Sequence, residues 1–333
     1  MSNLIVLERL GTTAVLTLHR PPAHAINLEM LEQLRSLLPQ IASPDVRALV
    51  ITGQGRFFSA GLDLFQVFAY PPEQAATFPV AFDEVVTGLF ALELPVVAAI
   101  NGHAVAGGAV LAATADFRIM AEGESQLGLS EIRVGVPFPT SALEIVRAAW
   151  SGPHLADLLY RGRNFRPQEA LASHLVDELV PAESLRERAL TLAAELGSRV
   201  PIAFSSTKRA LRKEFLARIA AVGGPGRDPI WSQWRSPEIL AAVESYRQSL
   251  EKKRVRVLRV SADRQNERTE ILYAARPCRL LWGSTLGQPT ARLPPPMTDR
   301  CSSLGFRWAR SPPKRSALCC TSIPRNSVQI ASP

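Results

Sequence analysis

Pro95–Ala112, PVVAAINGHAVAGGAVLA, decides the fold. An apolar run, Val96–Ile100, enters a glycine-punctuated turn that leads into a helix of small residues beginning near Gly107-Gly108. Strand, glycine turn and helix N-terminus together aim unpaired backbone N–H groups, backed by the helix dipole, at a negatively charged oxygen. A second glycine turn, Phe57-Phe58-Ser59-Ala60-Gly61-Leu62-Asp63-Leu64, follows another apolar run, Ala48–Thr52. Two such turns can place two N–H donors on one oxygen, which is the geometry of an oxyanion hole.

Outward from these turns the chain alternates strands and helices. Leu4–Glu8 and Ala14–His19 read as strands flanking a turn at Gly11. Asn27 suits the N-cap of a helix with Leu28, Leu31, Leu34, Leu38 and Ile41 on one face. Val46–Thr52 reads as a buried strand. A loop at Pro71-Pro72 precedes a helix through Phe82–Leu92, and Val96–Ile100, Gly108–Ala115 and Phe117–Ala121 continue as strand, helix, strand. The rhythm predicts an α/β fold with mainly non-hairpin connections. From Ser141 the pattern turns helical, with Ala142–Trp150, His154–Tyr160, Pro167–Ala172, Ala182–Ser198 and Pro201–Ala221 as candidates. A last helix starts at Ser236-Pro237, carries Ile239, Leu240, Val243, Tyr246 and Leu250 as a stripe, and ends at Lys252-Lys253-Arg254, cations well placed at a helix C-terminus.

Composition separates a body from a tail. The chain of 333 residues is 47% hydrophobic, enough for a large core, with a net charge of +8. Residues 255–333 carry 13 Lys and Arg against 4 Asp and Glu, which leaves residues 1–254 at −1. The basic balance of the whole chain therefore does not mark the body as a nucleic-acid binder. All four cysteines (Cys278, Cys301, Cys319, Cys320) also lie in the tail, without metal-ligand spacing. A body without cysteine fits a cytoplasmic protein and excludes thiol catalysis there. No uninterrupted apolar run reaches 18 residues, and the N-terminus lacks the pattern of a signal peptide, so no membrane partner is expected. The tail, rich in Arg, Ser and Pro, reads as a disordered extension of the kind a frameshifted or read-through frame produces.

The segments RPPAHAIN (20–27), RFFSAGLDL (56–64), PVVAAINGHAVAGG (95–108), ADFRIMAEGESQLGLSEIRVGV (115–136) and GRNFRPQEALASHLVDELVP (162–181) resemble, in order and spacing, those of the crotonase superfamily of enoyl-CoA hydratases and isomerases. The resemblance runs from about Leu4 to Arg254. It implies a spiral of ββα repeats over residues 1–197, a helical C-terminal region over 198–254, acyl-CoA thioesters as ligands, and trimers or pairs of trimers. It places the two oxyanion donors on the backbone N–H groups of Leu62 and Gly107. It implies no metal or redox cofactor, since CoA is part of the substrate.

A hydratase of this family holds water with two glutamates. One of those positions is Glu131; the other falls on Val110, which cannot carry a proton. One carboxylate beside an oxyanion hole suits a different reaction, the transfer of a proton from C2 to C4 of a 3-enoyl-CoA to give the 2-trans-enoyl-CoA. The Δ3-Δ2-enoyl-CoA isomerases of the superfamily, which act in β-oxidation, resemble this chain at both positions and along SPEILAAVESYRQSLEKKR (236–254). Other acyl-CoA reactions (hydration, hydrolysis, dehalogenation) would need Glu84 or Asp63 as a second group, and a silent acyl-CoA-binding homologue would need none. A base working near neutral pH should have a raised pKa, which burial of Glu131 among Val110, Leu127, Leu129 and Ile132 would supply.

The remaining candidates surround the thioester and CoA. They are Arg20, His24 and Ala25 in the first segment, Ser59, Ala60, Gly61 and Asp63 in the second, and Ser130 and Val110 beside the catalytic positions. Arg20 and Arg56 are the candidate cations for CoA phosphates. His24 is expected to stack or lie exposed, Asp63 to cap the turn after Gly61, Asp116 to end a helix, and His103 to be structural. Glu84 is expected on an exposed helix face. The Phe65–Tyr70 aromatics and Phe78, Phe82 and Phe90 read either as an acyl tunnel or as core.

Overall fold

Two sheets share the chain in alternation. The computed structural model describes residues 3–250 and 252. Its elements run β1 (Ile5–Leu10), β2 (Thr13–Leu18), α1 (Leu28–Ile41), β3 (Ala48–Gly53), β4 (Phe57–Ser59), α2 (Leu64–Phe68), α3 (Pro72–Ala91), β5 (Val96–Ile100), β6 (His103–Val105), α4 (Gly107–Ala113), β7 (Phe117–Ala121), β8 (Leu127–Gly128) and α5 (Glu131–Val134). The helical part continues with α6 (Thr140–Ala149), α7 (His154–Leu159), β9 (Asn164–Phe165), α8 (Pro167–Ala172), β10 (Glu178–Val180), α9 (Leu185–Gly197), α10 (Pro201–Ala220) and α11 (Ile230–Gln233), then a helix over residues 237–250. The larger sheet has the order β1-β2-β3-β5-β7-β10 and the smaller β4-β6-β8-β9. The pairs β3 and β4, β5 and β6, and β7 and β8 each add one strand to each sheet. Among the described strands, β1–β2 and β8–β9 pair antiparallel and the other pairs are parallel.

The five parallel strands of the large sheet are covered on both faces, which explains their continuous apolar runs. One face carries Val15, Val50, Val97 and Ala99 against Leu185, Ala189 and Ala193 of α9. The other packs Leu16, Leu49, Ile51 and Ala98 into the main core with α1, α3 and α4. Asn27 caps α1, its Oδ1 accepting from Met30 N at 3.0 Å. Ser236 caps the last helix through Ile239 N at 3.4 Å.

α3 begins ten residues before the expected Phe82. Pro71 is its N-cap and Pro72 its first residue, a position where the missing proline N–H costs nothing, so the Pro71-Pro72 pair starts this helix rather than marking a loop. The strands β4 and β6, read in the sequence as parts of glycine turns, and β8 are two or three residues long and too short to show periodicity. The 255–333 extension lies outside the described residues.

Asp116 is more than the helix-end residue the sequence suggests. Its carboxylate accepts from Val96 N (2.8 Å), Lys208 Nζ (2.7 Å) and Arg212 Nη2 (2.6 Å). Lys208 also donates to Leu94 O and Arg212 to Phe90 O. α10 is thereby tied to the body through buried charges, and desolvation pushes the Lys208 ammonium down to about 8.

Candidate active site

Leu62 and Gly107 arrive from different repeats and meet. Ile26 N donates to Gly61 O and Asp63 N to Ile26 O, so residues 61–63 run beside 26 as a parallel bridge. Ser59, fully buried, donates its Oγ to His24 O (2.8 Å) and accepts from Gly61 N (3.2 Å). Gly61 has φ +83°, and a Cβ there would lie 2.8 Å from Gly107 N, Ala106 Cβ and Val105 O. Only glycine lets the two turns approach this closely. A Cβ on Gly107 would lie 3.4 Å from Leu62 N. Neither the Leu62 nor the Gly107 N–H donates a hydrogen bond within the described residues.

Ala106, just before α4, has φ 50° and ψ −130°. A non-glycine residue in that region stores strain, and strain of this kind collects at functional sites. Here it turns the chain so that Gly107 N leads the helix. Gly108 is packed so tightly that a Cβ would fall 2.2 Å from Ser59 O, which seats α4 directly on β4.

Both turns open into a cavity of about 440 Å³ lined by Leu62, Gly107, Ser130 and Glu131. The backbone of Glu131 is the first residue of α5, reached straight from β8. Its residue surface is half-buried, yet its Oε2 is withdrawn from solvent with no hydrogen-bond partner among the described residues. Burial pushes its carboxyl up to about 8, and its own backbone N–H, which favours the charged form, only partly offsets this. The apolar surroundings differ from those expected. Ile132 is 51% exposed, and Val134 and Val136 line the cavity instead.

Of the other candidates, Arg20, Ala25, Ala60 and Asp63 also line it. Arg20 donates to Asp63 Oδ2 (2.8 Å) and Ala25 O (2.8 Å), and Asp63 Oδ1 caps α2 through Gln66 N (3.2 Å). Ser59 and Gly61 sit behind the wall and position it. Val110 is buried one turn along α4 and does not line the cavity.

His24 does not stack on a ligand or face solvent. It is 2% exposed. Its Nδ1 accepts from Arg20 N (3.0 Å), so Nε2 carries the proton and donates to Gln54 O (2.6 Å). Its role is to hold the Arg20 loop against the β3–β4 turn. Arg56 is exposed and away from the cavity, and Glu84 pairs with Arg35 (2.9 Å) on the open side of α3. His103 packs its ring on Phe57. Phe78, Phe82 and Phe90 are core.

Sequence reasoning missed the wall that Trp234, Tyr246 and Leu250 contribute from the C-terminal segment; Phe65, one of the tunnel candidates, lines the cavity too. Among the described residues no cluster of His, Cys, Asp or Glu is arranged to hold a metal ion. No helix among them is long and apolar enough to cross a membrane.

A family model described as enoyl-CoA hydratase/isomerase matches residues 8–222, nearly two thirds of the chain. The chain belongs to the enoyl-CoA hydratase/isomerase family. Relatives of this crotonase fold include a short-chain-enoyl-CoA hydratase of Clostridium acetobutylicum, 30% identical over 63% of this chain and 82% of its own length. A 2,3-dehydroadipyl-CoA hydratase of Escherichia coli is 34% identical over 64% and 83%. The human mitochondrial delta3-delta2-enoyl-CoA isomerase superposes with a TM-score of 0.71 at 27% identity, covering 75% of this chain and 99% of that one. The protein is thus a crotonase-family acyl-CoA enzyme with a spiral ββα core and a helical C-terminal region.

Proposed function

We propose that the protein is a Δ3-Δ2-enoyl-CoA isomerase. The observation that carries this reading is that, among the described residues, Glu131 is the cavity-lining carboxyl left without a partner. The other lining carboxylate, Asp63, is committed to Arg20 and to the α2 cap. The position where a hydratase of the family needs its second glutamate is Val110, buried in the core.

The substrate thioester oxygen accepts from Leu62 N and Gly107 N. The Glu131 carboxylate takes a proton from C2 of the 3-enoyl chain. The electron pair moves onto the thioester oxygen, where the two amides stabilise it, a contribution of about 10²–10³ in rate per donor. The Glu131 carboxylic acid returns the same proton at C4 and the double bond settles between C2 and C3. No water or oxidant enters the balance. Arg20 is the cation at the CoA-bearing part of the site, and no cofactor beyond the substrate's own CoA is required. The working form is a cytoplasmic trimer or pair of trimers. Val200, Ile202 and Leu211, each more than 60% exposed at the start and along α10, offer apolar surface for such contacts.

Hydration is the second reading, supported by the hydratase names of the relatives. Turnover of 3-trans-hexenoyl-CoA and hydration of crotonyl-CoA, measured side by side, separate the two. Isomerisation is expected to be much the faster; faster hydration would reject the proposal, and thioester binding without either product would leave a binding protein.

A further inference from the structure

We propose that Trp234 fixes the length of acyl chain the site accepts; this rests on the acyl-CoA reading above but not on the type of reaction. The ion pair at one side of the cavity, Arg20 and Asp63, belongs to the loops around β2 and β4, apart from Ser130 and Glu131 beside the oxyanion donors. The wall contributed by Val134, Val136, Trp234 and Leu250 is apolar, with Tyr246 its one hydroxyl-bearing member among the described residues. A thioester gripped at Leu62 and Gly107 with its CoA toward Arg20 therefore sends its acyl chain toward Trp234.

Away from the cavity the indole is held by three neighbours. It stacks on Phe68 of α2 with ring centroids 5.7 Å apart and planes within 5°. Its Nε1–H donates to Pro137 O (3.1 Å), in the chain just past α5. Behind it stands Trp231, at 4.7 Å between centroids. Trp231 is itself pinned: its Nε1–H donates to Asp83 Oδ2 (3.1 Å), and it meets Phe78 and Phe82 edge-on. Asp83 is a buried carboxylate of α3 for which the proposed reaction has no use. It also accepts from Gly226 N (2.8 Å) and Ser141 Oγ (2.6 Å), so that one side chain joins α3, α6 and the loop before α11.

A wall stacked, hydrogen-bonded and backed in this way cannot swing aside for a longer chain. Trp234 is 6% exposed, so its truncation opens space into the protein. In an apolar pocket each methylene admitted or refused changes discrimination by roughly 10- to 200-fold.

The test is calorimetric binding of saturated acyl-CoAs of increasing even chain length, from butanoyl upward, to the wild-type protein, W234A, W234L and W234F. Wild-type affinity is expected to rise with length and then stop. W234A should bind the first chain refused by wild type at least about tenfold more tightly, W234L less so, and W234F should keep the wild-type limit. Should W234A fail to fold by circular dichroism, W234L carries the comparison. An unchanged limit in every folded truncation overturns the proposal. Saturated thioesters report binding alone, so a failure of the isomerase reading would appear separately, as absent turnover with the length series intact.

Discussion

A Cβ on Gly107 would sit 3.4 Å from the backbone nitrogen of Leu62 and 3.3 Å from the Leu62 Cδ2 atom. That spacing brings two amides from successive repeats to one point, and it separates the effects of two glycine substitutions. Gly107→Ala places a methyl beside the Leu62 N–H, where the thioester oxygen must lie, with contacts that small side-chain shifts relieve. Its melting temperature should stay near wild type while kcat falls by about 10²-fold, the scale of losing one donor. Gly61→Ala meets backbone at 2.8 Å and needs φ +83°, so it should lower stability before it touches chemistry. Thermal melts and steady-state rates on both variants check the contrast.

The buried Glu131 carboxyl should cost stability at high pH. With its pKa pushed up to about 8 from 4.5, the folded protein holds a proton between those values that the unfolded chain releases. Stability from this group is therefore full below about pH 4.5, falls as pH rises through the window, and levels off above about 8. Glu131→Gln mimics the protonated form. It should match wild type near pH 5 and exceed it by several kcal/mol, on the order of 1.4 per pKa unit, near pH 9. Urea unfolding at the two pH values measures the gap, and an equal gap at both would contradict the burial argument.

Asp116→Asn should be among the most damaging single changes away from the cavity. The side chains of Lys208, Arg212 and Asp116 are 6%, 11% and 13% exposed. Removing the one carboxylate that joins both cations leaves buried positive charge uncompensated, a loss of about 3–5 kcal/mol. Denaturant titration should show it, with α10 the first element to lose amide-exchange protection.

Much of this was legible in the sequence because the signals were local. Asn27, Ser236 and Pro167 mark helix starts by side-chain and backbone chemistry that needs no tertiary partner. The apolar runs at 48–52 and 96–100 are strands because both of their faces are covered. Glu131, Leu62 and Gly107 could be named because glycine turns leave a pattern and because the family segments align with it. What stayed hidden was decided by distant partners. The role of Asp116 depends on cations 92 and 96 residues away, and that of His24 on the carbonyl of Gln54. Tyr246 and Leu250 were visible only as a helical stripe, with nothing to distinguish a cavity wall from core. Trp234 falls outside that stripe, its only signal being the three-residue spacing from Trp231.

The most direct test of the account is the pH dependence of kcat/KM for converting 3-trans-hexenoyl-CoA to the 2-trans isomer, in wild type and in Glu131→Gln. Because only the ionised carboxylate can take the C2 proton, the wild-type value should climb tenfold per pH unit below about 8 and flatten above it. The Gln variant should be slower by at least about 10³-fold, with that rise abolished. A variant that keeps wild-type activity, or the same pH profile, would show that Glu131 does not move the proton.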